Sequence, residues 1–385
     1  MSKILCLELS NGNGQCCELD LPATDYELLD ALERLRMKPD EQPRWEVLEY
    51  YEFEHLAPLL DESFSLCELN ALSRRLACLD ERQRAAFEGM VQMKIAERSG
   101  PIQIGTLVDL SYSTECCHVV GEARNDSQLG RFYAENGFFP QYDDLPEEIF
   151  EMLDFERIGR ESRLREGGVF TPHGYVVQNG EPKQVFEHLN LSLRKPDYAI
   201  LLELAHNGRS VSLALPAAPQ EIDSALGRLG AADWSEVRFR CSDCQVPALM
   251  DAVDSAGSIA PVNRLAQILA RLGPQELPIY KAVVDAVGVP GVNEAVRLRD
   301  QLDAYILEPD TRSAEDAAMN ELTTSLDEKE IELLLPYLNL HQYGLAVIRQ
   351  YDSVLTDYGL LERRDGQPIL TNRDPVQTNE MEMKL

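Results

Sequence analysis

LPATDYELLDALERL (residues 21–35) recurs with changes as LPAAPQEIDSALGRL (215–229). Leu, Pro, Ala, Glu, Ala, Leu, Arg and Leu stand in the same places in both. An internal repeat outranks every local signal, because it decides how many times one supersecondary plan is used. Just upstream, ILCLELSNGNG (4–14) is matched by ILLELAHNG (200–208). Downstream, WEV (45–47) is echoed by WSEV (234–237), the only two tryptophans of the chain. SLCELNALSRRLACL (65–79) parallels SIAPVNRLAQILARL (258–272). LDFERIGRESRLREGGVFTPHGYV (153–176) parallels LNLHQYGLAVIRQYDSVLTDYGLL (338–361), placing Gly159 on Gly344, Thr171 on Thr356 and Gly174 on Gly359. Matches in one order imply two tandem modules, 1–190 and 191–370, joined near LSLRKPDYAI, followed by a polar tail over 371–385 that is expected to fray.

Within a module the pattern changes from period 2 to period 3.6. Residues 3–9 and 15–21 read as strands around SNGNG, whose Asn and Gly supply the positive φ of a tight hairpin. Thr24 or Asp25 caps a helix over 26–36, and aromatic-rich Trp45–Phe53 reads as a third strand. Leu66, Leu69, Leu72, Leu76 and Leu79, then Phe87, Met90, Val91 and Ile95, recur at helical spacing and are read as core. A helix around 127–136, an acidic helix, and a final hairpin from Arg163–Glu166 through Gly167-Gly168 to Val169–Val177 complete the module. The expected class is α+β: a ββαβ unit (1–56), a helical unit (57–105) and a mixed α/β unit (106–190), repeated in tandem.

The 385 residues carry 66 Asp and Glu against 36 Lys and Arg, a net charge of −30. That balance argues against nucleic acid or an anionic membrane surface as partner and for a basic one; solubility alone is the plainer reading. No apolar run approaches the roughly 18 residues of a membrane span, and MSKILCLELSNGNGQ has no signal-peptide pattern, which points to a cytoplasmic protein. Nine cysteines, an odd number with two adjacent pairs, do not form a secreted disulfide framework.

Enzyme signatures are sparse. Phosphate-binding glycine loops, zinc-protease helices and nucleophile elbows are absent from the sequence, and six histidines are scattered without paired spacing. Cys241-Ser-Asp-Cys244 is the one C-x-x-C; without a second pair at zinc spacing it is read as idle thiols, with redox or metal chemistry as the competing reading. No cofactor and no metal are expected.

The densest charge lies in PQYDDLPEEIFEMLDFE (140–156), with seven carboxylates and no base. As a helix it places Leu145, Ile149, Met152 and Leu153 on one face and its acids on the other, with Asp144 as cap and Pro146 in the first turn. Further rows of acids stand upstream, with Glu46, Glu49, Glu52 and Glu54 in EVLEYYEFE, then Asp61, Glu62 and Glu68. Residues 1–190 hold 36 acids and 18 bases. Since B-DNA carries one charge per about 1.7 Å, a surplus of thirty corresponds to roughly 50 Å of duplex.

The candidate surface is therefore Glu49, Glu52, Glu54, Asp61, Glu62, Glu68, Asp143, Asp144, Glu147, Glu148, Glu151 and Asp154. YYEFEHLAPLLDESFSLCELNAL, LPEEIFEMLDFERIGRES and FTPHGYV resemble the central, acidic and closing segments of the ArdA antirestriction family. The resemblance implies a non-enzymatic, elongated DNA mimic of three small subdomains. It would occupy the DNA site of the specificity and methyltransferase subunits of type I restriction-modification enzymes. Family members carry one module and usually dimerise; this chain has two, so a monomeric pseudo-dimer and a homodimer are both open. The second module departs from the pattern: Glu68 corresponds to Pro261, and VRFR brings in Arg238 and Arg240. A generic acidic interaction protein with another basic partner is the alternative.

Overall fold

The computed structural model describes residues 2–97, 100–142 and 145–369. The tail 371–385, expected to fray, lies outside them. The chain forms two compact units among these residues, one from 2–23 and 37–193, the other from 24–36 and 194–369.

In the first unit, β1 (Leu5–Ser10) pairs antiparallel with β2 (Cys16–Leu21) and β3 (Arg44–Glu49) in the order β2-β1-β3. Leu5, Leu7 and Leu9 are buried while Cys6, Glu8 and Ser10 alternate to the other face, as period 2 requires. Asn11 closes the hairpin by accepting from the N–H groups of Asn13 (2.9 Å) and Gln15 (3.1 Å). Between β2 and β3 the chain makes α1 (Asp25–Arg34), which belongs to the other unit. Helices α2 (Leu66–Leu76), α3 (Glu81–Ala96) and α4 (Ile104–Ser111) follow. The remainder comprises β4 (Cys117–Val120), α5 (Asp126–Glu135), α6 (Glu147–Phe150), α7 (Phe155–Glu166), β5 (Val169–Thr171) and β6 (Gly174–Gln178), with sheet order β4-β6-β5.

The second unit repeats this plan. Strands β7 (Ile200–His206), β8 (Arg209–Leu215) and β9 (Arg238–Cys244) form a sheet in the order β8-β7-β9, with α8 (Pro219–Leu229) between β8 and β9. Then come α9 (Met250–Asp254), α10 (Ile259–Leu269), α11 (Glu276–Val287) and α12 (Val292–Leu298). Last are β10 (Tyr305–Glu308), α13 (Ala314–Ser325), α14 (Glu328–Leu334), α15 (Leu340–Gln350), β11 (Val354–Thr356) and β12 (Gly359–Arg363), with sheet order β10-β12-β11. The class is α+β, built from small three-stranded sheets and many helices.

The residues shared by the two halves have mechanical reasons. Asn70 accepts from the Ala23 N–H (2.8 Å) and donates to its C=O (3.0 Å); Asn263 does the same to Ala217 (2.9 and 3.0 Å). Each Asn satisfies both main-chain groups of a residue between strand and helix. Gly159 lets α7 touch α5: a Cβ there would stand 1.8 Å from the Asp126 carbonyl oxygen, and at Gly344 1.6 Å from that of Ala314. Thr171 and Thr356 each bridge the turn of the final hairpin, bonding the carbonyl of Gly174 (3.0 Å) and Gly359 (2.7 Å), whose φ values are +140° and +135°.

Several expectations need correction. Trp45 does not correspond to Trp234: β1 pairs Leu9 with Trp45, β7 pairs Leu204 with Phe239, and Trp234 lies in a short 3-10 turn before the strand. The third strand stops at Glu49, and Tyr51 turns with φ +46°. Arg163–Glu166 form the last turn of α7, ended by Gly167 in the left-handed region, so the hairpin starts only at Val169. The 140–156 stretch is not one helix: a 3-10 turn over Pro140–Tyr142 and the four-residue α6 precede α7, which Asp154 caps. Ile149 and Met152, assigned above to an apolar face, are 51% and 85% exposed.

Candidate acidic surface

The sequence-level candidates do not share one role. Glu49 ends β3, and Glu54 opens the short turn after it; both are exposed. Glu62 is exposed as well. Asp61 is exposed too, and its pKa is lowered by the Ser63 hydroxyl and then by the Ser63 N–H, which it accepts at 2.9 Å. Glu147 and Glu148 occupy the first turn of α6, in solvent, where the helix N-terminus favours negative charge. Four others have structural employment. Glu68 accepts from Ser65 N–H (2.7 Å) as half of a capping box on α2, and Asp154 caps α7 through the Arg157 N–H (3.0 Å). Glu52 is paired with Arg84. Glu151 takes a two-pronged contact from Arg131 of α5, at 2.5 and 3.2 Å. Asp143 and Asp144 lie outside the described residues. The acidic stretch contains no base of its own, but folding brings one to it.

The feature that sequence reading missed is on the first sheet. Glu8 of β1 lies directly opposite Glu18 of β2 and, on its other side, directly opposite Glu46 of β3. Side chains one strand apart are about 4.5–5.5 Å apart at Cβ, and like charges directly opposite are destabilising. None of the three makes an ion pair with a described residue, and Glu18 and Glu46 are exposed. Glu8 and Glu46 also line an open hollow of about 910 Å³ with Glu62, Trp45 and Tyr50. In the second sheet the same row reads Ser212, Glu203, Arg240. There an opposite charge faces Glu203 and the repulsion is gone. The signal was available: strand alternation places Glu8, Glu18 and Glu46 on outward positions, but only register makes them one row.

Residues 9–177 match the family model described as antirestriction protein (ArdA). Over this stretch the chain is similar to the ArdA family. The match begins near the end of β1 and ends in β6; it includes Glu18 and Glu46 but starts one residue after Glu8. No curated protein matches the chain. The family so named is an antirestriction family.

The thiols of the C-x-x-C motif lie in the second unit, outside the matched residues. Cys241 and Cys244 are both buried at the end of β9, not at a helix start. The hydrogen bond to the Cys244 thiol, then burial, pushes Cys241 well above the ordinary thiol range, the opposite of a reactive thiolate. Among the described residues no group of three or more His, Cys, Asp or Glu is placed to hold a metal, and no helix is long and apolar enough to cross a membrane.

Proposed function

We propose that the ArdA repeat is a DNA mimic whose carboxylates enter the DNA-binding groove of a type I restriction-modification enzyme, against its specificity and methyltransferase subunits, in the cytoplasm. The observation that carries this reading is the Glu18–Glu8–Glu46 row. Strands lie about 4.8 Å apart, so three fixed negative charges stand in a line at about seven-tenths of the axial charge density of one DNA strand. A fold gains nothing from such a row when free; a basic groove that neutralises it does. Exposed Glu49, Glu54, Asp61, Glu62, Glu147 and Glu148 extend the charge around the same repeat. The chain is read as two ArdA-like modules, 1–190 and 191–370, of which the first inhibits. The second, with Arg240 facing Glu203, serves as a diverged partner module in place of a second copy.

The test is competition. The protein is titrated into a type I methyltransferase holding labelled DNA at low and high salt. Displacement that weakens steeply with salt supports mimicry, and a Glu8→Gln, Glu18→Gln, Glu46→Gln variant should need about tenfold more protein, the effect of roughly 1.4 kcal/mol. No displacement at low salt by the wild-type protein, across several type I enzymes, refutes the reading and leaves an acidic protein with another basic partner.

A further inference from the structure

In the second unit, α1 packs on β9 and on the 3-10 turn Pro247–Leu249, and its acidic side chains reach α11 and the β11–β12 turn. Lys281 of α11 is 4% exposed and bonds Asp30 (2.5 Å) and Glu33 (2.6 Å) of α1. The hydroxyl of Tyr358 donates to Asp30 at 3.0 Å. Burial by itself lowers the pKa of Lys281, but the two carboxylates outweigh it and hold the group charged. Arg34 pairs with Asp357 at 2.6 Å, and Arg36 with Asp310.

The corresponding place in the first unit is a hollow among the described residues. The match of Asn70 with Asn263 continues without a gap through Phe87 and Tyr280, both fully buried, and sets Glu88 in the place of Lys281. His173 takes the place of Tyr358, its N–H likewise bonded to the hydroxyl of the preceding threonine. Here the cleft is open, about 610 Å³, floored by Phe53, Leu79 and Glu88 with His55 and His173 beside them. Glu88 is only 9% exposed, with Gln92 donating at 3.2 Å, and burial raises its pKa. The buried Nε2 of His55 has no hydrogen-bond partner among the described residues. Such groups normally find a partner. At the rim, Asp80, Glu81 and Glu52 outnumber Arg84, which is already paired with Glu52.

We propose that this cleft is a docking groove for one helix of a protein partner, which presents a lysine or arginine to Glu88. The second unit shows that a helix fits a cleft of this construction. Replacement of Lys281 by Glu88 inverts the charge required of the occupant, from the acids of α1 to a base. The helix α8, the counterpart of α1, brings Ser224 and Gly227 where α1 has Asp30 and Glu33, and so offers Glu88 no cation there. The groove is distinct from the carboxylate row and does not depend on the mimicry reading.

Two stapled peptides of residues 24–36 serve as probes: the native sequence, and one carrying Asp30→Lys and Glu33→Lys. Each is titrated by fluorescence polarisation into the full-length protein, whose second cleft is already filled by its own α1. The lysine peptide should bind at least tenfold more tightly than the native one, and Glu88→Gln, close in shape, should remove most of that preference. Glu88→Lys should reverse it. Equal binding of the two peptides, no binding of the lysine peptide up to millimolar concentration, or indifference to Glu88→Gln would overturn the proposal. So would self-association of the protein that Glu88→Gln abolishes, since the occupant would then be a second copy. Unchanged Trp45 fluorescence in the Glu88→Gln protein establishes that the unit remains folded.

Discussion

Glu8 stands in the middle of the carboxylate row, so Glu8→Gln removes two like-charge contacts at once, to Glu18 and to Glu46. A directly opposed pair is worth roughly 0.2–1 kcal/mol. The variant should therefore be more stable than wild type by about 0.4–2 kcal/mol. The mirror experiment has the opposite sign. Glu203→Gln in the second sheet deletes an attraction to Arg240, and should cost about 0.2–1 kcal/mol. Each unit carries one of the two tryptophans, Trp45 in β3 and Trp234 before β9. Urea unfolding in a Trp234→Phe background reads the first unit, and in a Trp45→Phe background the second. Both effects should shrink at 1 M salt, where the screening length falls to about 3 Å. If Glu8→Gln is neutral or destabilising at low salt, the carboxylates do not repel and the main support for mimicry is gone. If it stabilises but competes for the methyltransferase as well as wild type, the row lies outside the contact. Gained stability with weakened competition is the signature of a surface kept for function.

Lys281→Met leaves Asp30 buried without its cation and should cost the second unit about 3–5 kcal/mol, read from Trp234; adding Asp30→Leu should recover most of the loss. The raised pKa of Lys281 also sets a sign with pH: its stabilisation is complete below the unfolded lysine value near 10.5 and is lost as pH rises through the higher folded value, so Lys281→Met should flatten the alkaline limb of the Trp234-reported unfolding midpoint. Gly159→Ala should destabilise the first unit by about 1–3 kcal/mol or more, because the new methyl meets a carbonyl oxygen rather than a movable side chain; Gly344→Ala should do the same to the second in parallel melts. Asp126, lowered by the hydrogen bond from Arg163, stabilises above the unfolded carboxylate value near 3.8, and that contribution disappears as pH falls through its folded value. Asp126→Asn should make the Trp45-reported midpoint less sensitive to acid.

Much of the architecture could be read in one dimension because its causes are local. Alternating leucines in β1, the Thr24 cap of α1 and the Thr and Gly of each final hairpin act within a few residues. A second copy of the pattern then doubled the evidence. The α+β class followed from these, and the resemblance to the ArdA family from the segments YYEFEHLAPLLDESFSLCELNAL, LPEEIFEMLDFERIGRES and FTPHGYV. Charge composition likewise pointed toward a basic partner.

Register and long-range packing could not be read this way. Glu8, Glu18 and Glu46 are separated by 10 and 28 positions, and nothing in the chain says that they share a line until two strand pairings are set. Arg131 reaches Glu151 only because Gly130 and Gly159 let α5 and α7 touch, so the stretch that looks unpaired in sequence is partly neutralised. The placement of α1 was still less visible. Asp30 reads as an ordinary polar position on an amphipathic helix, yet it is buried, because Lys281, some 250 residues away, supplies the charge that makes its burial tolerable. Sequence alone determined the alternation of β1 and the main helical stripes, since those choices are made by neighbours, but not the end of β3 or the breaks within 140–156. Which charges oppose, which are paired and which cleft remains open depended on distances that only the folded chain defines.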